Sequence, residues 1–73
     1  MTYGIYVWDP DGDMGDGAIV GPYHSQERAV AKADRIRAAV EQSDSDAQVV
    51  VVVVDVLNGL TSERNIVRMV TRS

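Results

Sequence analysis

The 73-residue sequence has no cysteine and no phenylalanine, two prolines, and a single lysine among seven basic residues. The absence of cysteine excludes disulfides and thiolate metal sites, so packing or self-association has to stabilise the fold. A chain this short buries only about 60–65% of its unfolded surface, which keeps its core small. We expect no secretory leader, because the first residues include no basic segment followed by an apolar run. The longest apolar run, residues 49–54, is far shorter than the ~20 residues that cross a bilayer. We therefore expect one cytoplasmic domain over residues 1–73, with no membrane partner.

Acidic side chains dominate the charge of the chain, with 11 Asp and Glu residues and a net charge of −4. Such a field repels nucleic acids and anionic membranes. The first 27 residues contain five acids and no Lys or Arg, whereas three arginines follow residue 58. The preference for Arg over Lys, with abundant Val, Ala and Asp, is typical of a GC-rich coding sequence such as that of an actinobacterium or its phages.

Hydrophobic patterning predicts three strands and one helix. Residues 2–9 and 18–23 are rich in β-branched and aromatic side chains and flank an acidic, glycine-rich loop, which is typical of a hairpin. Six consecutive valines predict a third strand over about 47–57, because β-branched residues disfavour a helix. Ser25 is a good N-cap for a helix over about 25–42, whose buried face would contain Ala29, Ala33, Ile36 and Val40.

The C-terminal tail fits two structures. The Asn-Gly pair at 58–59 lies between β-branched runs and slightly favours a fourth strand over about 65–71. A cap at Thr61 or Ser62 would instead begin a short helix. The predicted fold class is α+β, a small two-layer β-β-α-β-(β) sandwich with one antiparallel or mixed sheet and one long helix on one face.

One helix leaves the other face of this sheet uncovered. Strand alternation predicts that Ile5 and Val7 point inward and that Tyr6 and Trp8 share the opposite side. On the valine strand, Asp55 marks the wetter face, so we expect the even-numbered valines to face the helix. The predicted exposed patch is then Tyr6, Trp8, Val49, Val51 and Val53.

Leaving this patch in water is costly. Three exposed valines forgo about 1.5–3 kcal/mol each, against a stability of about 5 kcal/mol for a small domain. Contiguous apolar patches usually mark interfaces. Three solutions stay open: a homodimer, which we favour, a tail that folds over the patch, and a foreign protein partner.

No catalytic, metal or cofactor site is predicted. Asp9, Asp11 and Asp13 match three ligand positions of a calcium loop, but the positions that require Gly and Glu hold Met14 and Val20. The neighbours at 24–25 are His and Ser, whereas nucleophile and base usually come from distant segments. One histidine and no cysteine also argue against a transition-metal site. We therefore expect a protein that is not an enzyme and has no cofactor.

Three arginines, Arg64, Arg68 and Arg72, recur at intervals of four residues and share one face of a helix or strand. They suit an electrostatic rim or an anion contact. No aromatic residues interleave with them, so nucleic acid is not favoured as a partner.

Residues 21–29, GPYHSQERA, fit the pattern G-P-[FY]-x-[ST]-x-x-x-A and resemble the strand-to-helix junction of SPOR domains, a likeness that covers residues 18 to about 56. It implies a ferredoxin-like module that binds denuded septal peptidoglycan. The opening YGIYVWDPD, followed by GPY and a helix, also resembles small accessory proteins of actinobacterial phages. That likeness implies a non-enzymatic protein that contacts a host component.

The sequence thus predicts a non-catalytic protein-binding module that forms a homodimer and binds a host protein. The alternative is a transcriptional or nucleic-acid accessory protein that uses the C-terminal arginines.

Overall fold

The computed structural model describes residues 1–8, 17–43, 46–55 and 59–71, with the backbone alone at residue 71. The elements are β1 (Tyr3–Trp8), β2 (Ala18–Tyr23), α1 (Gln26–Gln42), β3 (Gln48–Val53) and α2 (Glu63–Thr71). The α+β class is confirmed. Three predicted features lie outside the described residues. They are the acidic loop with the three aspartates that match a calcium loop, the turn position Asn58, and Arg72.

The sheet has the order β2-β1-β3, and both neighbouring pairs are antiparallel. The hairpin of β1 and β2 is as predicted. Opposite Ile5 lie Val20 on one side and Val51 on the other. The outer edge of β2 is closed in part by Thr61, whose amide donates to the Ile19 carbonyl (2.8 Å) and whose carbonyl accepts from the Gly21 amide (3.1 Å).

Helix α1 begins where the sequence predicts. Ser25 has an extended backbone, and its hydroxyl accepts a hydrogen bond from the Arg28 amide at 3.3 Å. This bond satisfies a backbone donor that has no partner within the first turn. All four apolar residues predicted for the inner face are buried: Ala29, Ala33, Ile36 and Val40.

The C-terminal tail is a helix, so the favoured fourth strand is wrong. The Ser62 hydroxyl accepts from the Asn65 amide at 3.1 Å and begins the helix. Ile66 and Val70, four residues apart, are 0% and 1% exposed. An apolar pair at helical spacing behind a good cap outweighs the β-propensity of the individual residues, because it lets one helix face reach the core.

Helix α2 packs beside α1 on the same side of the sheet. The Glu63 carboxylate lies 3.3 Å from the Lys32 ammonium and 3.7 Å from the Arg35 guanidinium, which connects the two helices. The tail therefore adds to the helix layer and does not fold over the opposite face of the sheet. Within the described residues, the core is one cluster between the helices and the sheet: Ile5, Val7, Val20, Ala33, Ile36, Val40, Val49, Ile66 and Val70.

Candidate functional site

The sheet has a face that neither helix covers, which we call the open face. The register pairs Tyr6 with Val50 and with Ile19, so these three side chains share one side of the sheet. Ile5 and Val7, which alternate with Tyr6 along β1, are 0% exposed on the other side. The described residues of the open face are Gly4, Tyr6, Trp8, Ile19, Gln48, Val50, Val52 and Val54.

The valine strand faces the opposite way from the prediction. Val49 is 9% exposed and Val51 packs against the core, whereas Val50 is 49% exposed. Among the predicted patch residues, Tyr6 and Trp8 lie on the open face and Val49, Val51 and Val53 do not. The prediction took Asp55 as a marker of the solvent-exposed face of the valine strand. Strand β3 ends at Val53, so Asp55 lies outside the strand and does not report on either face. Val53 lies on the helix side of the sheet and is still 55% exposed, so the helices do not cover this end of β3. The polar Asp55 therefore indicates where the helix layer ends, and it does not indicate which face of the strand is exposed.

Gly4 lets the open face close tightly over the central strand at one end. A Cβ built at Gly4 would lie 2.6 Å from a methyl of Val54 and 2.8 Å from a methyl of Ile19. These two methyl groups thus occupy the space in which a side chain would stand. The result is a continuous apolar ridge from β2 to β3 across β1.

The other end of the open face is accessible. Trp8 is 40% exposed and Val50 is 49% exposed, and among the described residues this face has no charged side chain. Three strands of six residues, at the usual strand spacing and rise, present a flat area of about 300 Å². The polar groups of this face belong to Tyr6 and Gln48, whose side-chain amide donates to the Asp46 carbonyl at 3.3 Å. The surface therefore suits a neutral, mainly apolar contact.

No family model, curated protein or solved structure matches the chain. The resemblances to SPOR domains and to phage accessory proteins therefore remain predictions.

The predicted arginine row does not border the open face. Residues 63–71 form helix α2, which packs on the helix side of the sheet. Arg64 and Arg68 are exposed on this helix. They cannot form a rim for a contact on the opposite side. Neither helix of the described ranges is long and apolar enough to cross a membrane.

His24 and Ser25 lie at the start of helix α1. Ser25 uses its hydroxyl as the cap of α1, and His24 is exposed. Within the ranges that the structure describes, no group of three or more His, Cys, Asp or Glu side chains is placed to hold a metal ion.

A second candidate surface, beside the open face, is the outer edge of β3, which the sequence analysis did not predict. The Val54 amide donates to the Thr2 carbonyl of the neighbouring segment at 2.8 Å. Hydrogen-bonded and non-hydrogen-bonded pairs alternate along an antiparallel ladder, so the backbone groups of Val49, Val51 and Val53 point away from β1. Periodicity alone carries no signal for this edge, because it does not reveal the order of strands in a sheet.

A groove of about 550 Å³ runs beside this edge, between the second half of α1 and the start of β3. At its border a guanidinium nitrogen of Arg37 donates to the Val49 carbonyl at 2.9 Å, and Arg37 also pairs with Asp34 at 3.1 Å. The groove is lined by Arg37, Val40, Glu41, Asp46, Ala47, Gln48 and Val49.

Proposed function

We propose that this protein is a non-catalytic protein-binding module whose open face binds an uncharged, mainly apolar surface of another protein. One observation carries the proposal: both helices of the described chain pack on the same side of the sheet. Trp8 and Val50 remain exposed on the other side. The largest apolar patch of a monomeric protein, about 300–600 Å², is often a binding site.

The charges favour a protein over other partners. The described open face offers no cation for a phosphate, and the whole chain has a net charge of −4. Nucleic acids and anionic lipid surfaces are therefore repelled. An exposed tryptophan beside a valine, with a tyrosine on the same face, is typical of the centre of a protein interface. The resemblance to accessory proteins of actinobacterial phages supports a host protein as the partner.

The size of the open face sets the expected strength of binding. An area of about 300 Å² is well below the ~800 Å² that each partner contributes to a stable complex. One copy alone should therefore bind weakly and reversibly, unless a second copy enlarges the surface.

A pair of matched lysine substitutions tests the proposal. Val50→Lys places an ammonium on the open face, whereas Val30→Lys places one on the outer side of α1 at a valine of similar exposure, 42% against 49%. The wild-type protein and both variants are used to capture proteins from an actinobacterial lysate. The proteins that differ between the baits are then purified, and their dissociation constants are measured.

The proposal expects one captured protein to lose affinity by about tenfold or more with Val50→Lys, because burying an unpaired ammonium against apolar groups costs several kcal/mol. Its affinity for Val30→Lys should equal that for the wild type. A set of partners that binds Val50→Lys and the wild type equally well contradicts the proposal.

A further inference from the structure

The two edge strands of the sheet, β2 and β3, differ in how far their outward backbone groups are covered. On β2, Thr61 pairs with Ile19 and Gly21, and Pro22 has no amide hydrogen to offer. On β3, the outward backbone groups belong to a strand of the sequence QVVVVV, which has no charge and no proline. Natural proteins normally protect such an edge with charged residues, proline or a bulge, because an unprotected edge pairs with another strand. Arg37 covers one group of this edge, the Val49 carbonyl, and the outward groups of Val51 and Val53 lie beyond it.

We propose that a second copy of this chain pairs with β3 edge to edge, antiparallel about a two-fold axis at Val51. This register is the one that pairs all three outward residues, Val51 with its own copy and Val49 with Val53 of the second copy. The Val49 carbonyl already accepts from Arg37 and has a second lone pair for the incoming amide. The inference goes beyond the proposed function, since it assigns a second copy of the chain to a different surface of the same sheet.

The side chains along this edge are complementary to themselves. Val53 is 55% exposed at one end of β3 on the helix side. The groove beside Val49, lined also by Val40 and Ala47, lies at the other end on the same side. In the proposed register, Val53 of each copy stands opposite Val49 of the other, at the usual cross-strand Cβ separation of about 5 Å. Each copy thus places an exposed valine against the apolar part of the other's groove.

The charges near the edge agree with this pairing. Asp46 and Asp55 flank β3, and the antiparallel register sets Asp55 opposite Ala47 of the other copy, not opposite an acid. The nearest cation is Arg37, which already reaches the β3 backbone at Val49. No two acids stand directly opposite each other in this register, and Asp55 of one copy lies one position from Asp46 of the other.

A two-fold axis perpendicular to the sheet keeps both helix layers on one side and both open faces on the other. The dimer would contain a six-stranded sheet with a continuous open face of about 600 Å². This area approaches the amount that one side of a stable protein complex buries. Edge pairing would therefore turn two weak binding surfaces into one of useful size.

Sedimentation equilibrium of the wild type and two variants tests the inference. Val53→Lys places a charge at the proposed dimer contact, and Val30→Lys places one at an exposed valine on α1, away from β3. We expect the wild type to have twice the 8.0 kDa of one chain, Val30→Lys to dimerise equally well, and Val53→Lys to raise the dimer dissociation constant about tenfold or more. Circular dichroism checks that both variants are folded.

Amide hydrogen exchange of the wild type supplies a second test that needs no substitution. We expect the Val51 and Val53 amides to exchange rapidly in dilute solution and to slow as the protein concentration rises. The Val50 and Val52 amides, which point toward β1, should be protected at every concentration. This measurement decides the matter if Val53→Lys fails to fold.

The failure of the inference differs from the failure of the proposed function. Either of two results overturns the edge dimer and leaves the open face as a binding surface. The first is a mass of 8.0 kDa at protein concentrations up to roughly 1 mM. The second is an exchange rate of the Val51 and Val53 amides that does not change with protein concentration. A dimer that Val53→Lys leaves intact also overturns it, because the two copies would then meet through another surface.

Discussion

At the scale of single residues, Gly4 determines how the open face closes over the central strand. Gly4→Ala would bring a methyl group within 2.6–2.8 Å of Val54 and Ile19, and β-branched side chains have little freedom to move aside. We expect the free energy of unfolding to fall by about 1–3 kcal/mol, the usual cost of overpacking. Urea denaturation measures this change.

Gly21→Ala is the matched control for that prediction, because its nearest neighbour would be the Tyr3 carbonyl at 3.3 Å. It should destabilise the fold less than Gly4→Ala does. Equal losses in the two variants would show that the Val54 and Ile19 side chains do not meet over Gly4.

Tyr23 makes stability depend on alkaline pH. Burial, with a smaller contribution from the Glu63 carboxylate, raises the pKa of Tyr23 above its ordinary 10.0. The folded state therefore holds the phenol proton more tightly than the unfolded state. The resulting stabilisation is complete below pH 10 and is lost as the pH rises through the raised pKa.

We expect Tyr23→Phe to flatten the fall in melting temperature above pH 10, measured by circular dichroism. Glu63→Gln should flatten it less, because the carboxylate is the smaller cause. A Tyr23→Phe profile with the same slope as the wild type would show that another group governs alkaline unfolding.

The residue scale also shows why part of the candidate site was predictable. On β1 the inward Ile5 and Val7 alternate with the aromatic Tyr6 and Trp8, and this contrast predicted both faces correctly. The valine run has no such contrast, so its faces had to be assigned from Asp55, which lies beyond the end of the strand. The structure pairs Val49 with the buried Val7, which places the odd-numbered valines on the helix side of the sheet.

At the scale of elements, α2 belongs to the core and not to the surface. Its Ile66 is fully buried in the same cluster as Ile5 and Ile36. Ile66→Ala should therefore reduce the free energy of unfolding by about 2–5 kcal/mol through lost contacts and the cavity left behind. Chemical denaturation measures the loss.

Met69→Ala tests the same helix on its outer side, where Met69 is 41% exposed. This change should stay within about 0.5–1 kcal/mol, as is usual for surface positions. If Met69→Ala costs as much as Ile66→Ala, the helix does not dock on the side that the structure shows.

The elements differ in how far the sequence determines them. Helix α1 combines a cap at Ser25 with four apolar positions at helical spacing, and local signals of this length are hard to override. Helix α2 has nine residues, several of them β-branched, and its stability depends on docking against the core. Such contacts are tertiary, so the tail could be read either as a strand or as a helix before the fold was known.

At the scale of the whole molecule, both helices shield the same side of a three-stranded sheet. The sequence predicted an uncovered face because it supplied more apolar strand surface than one helix can cover. The sequence could not show that β1 is central, that β3 has a free edge, or that a second helix joins the first. These properties follow from the packing of segments far apart in the chain.

The most direct test of the central claim uses Trp8, the single tryptophan of the chain, which lies on the open face. Replacing it by 5-fluorotryptophan gives one ¹⁹F resonance that reports on this surface alone. When the captured partner is added, the account predicts that the resonance shifts and saturates with the wild type and with Val30→Lys, and that it stays in place with Val50→Lys. A partner that binds the wild type tightly while the Trp8 resonance remains unchanged would contradict the account.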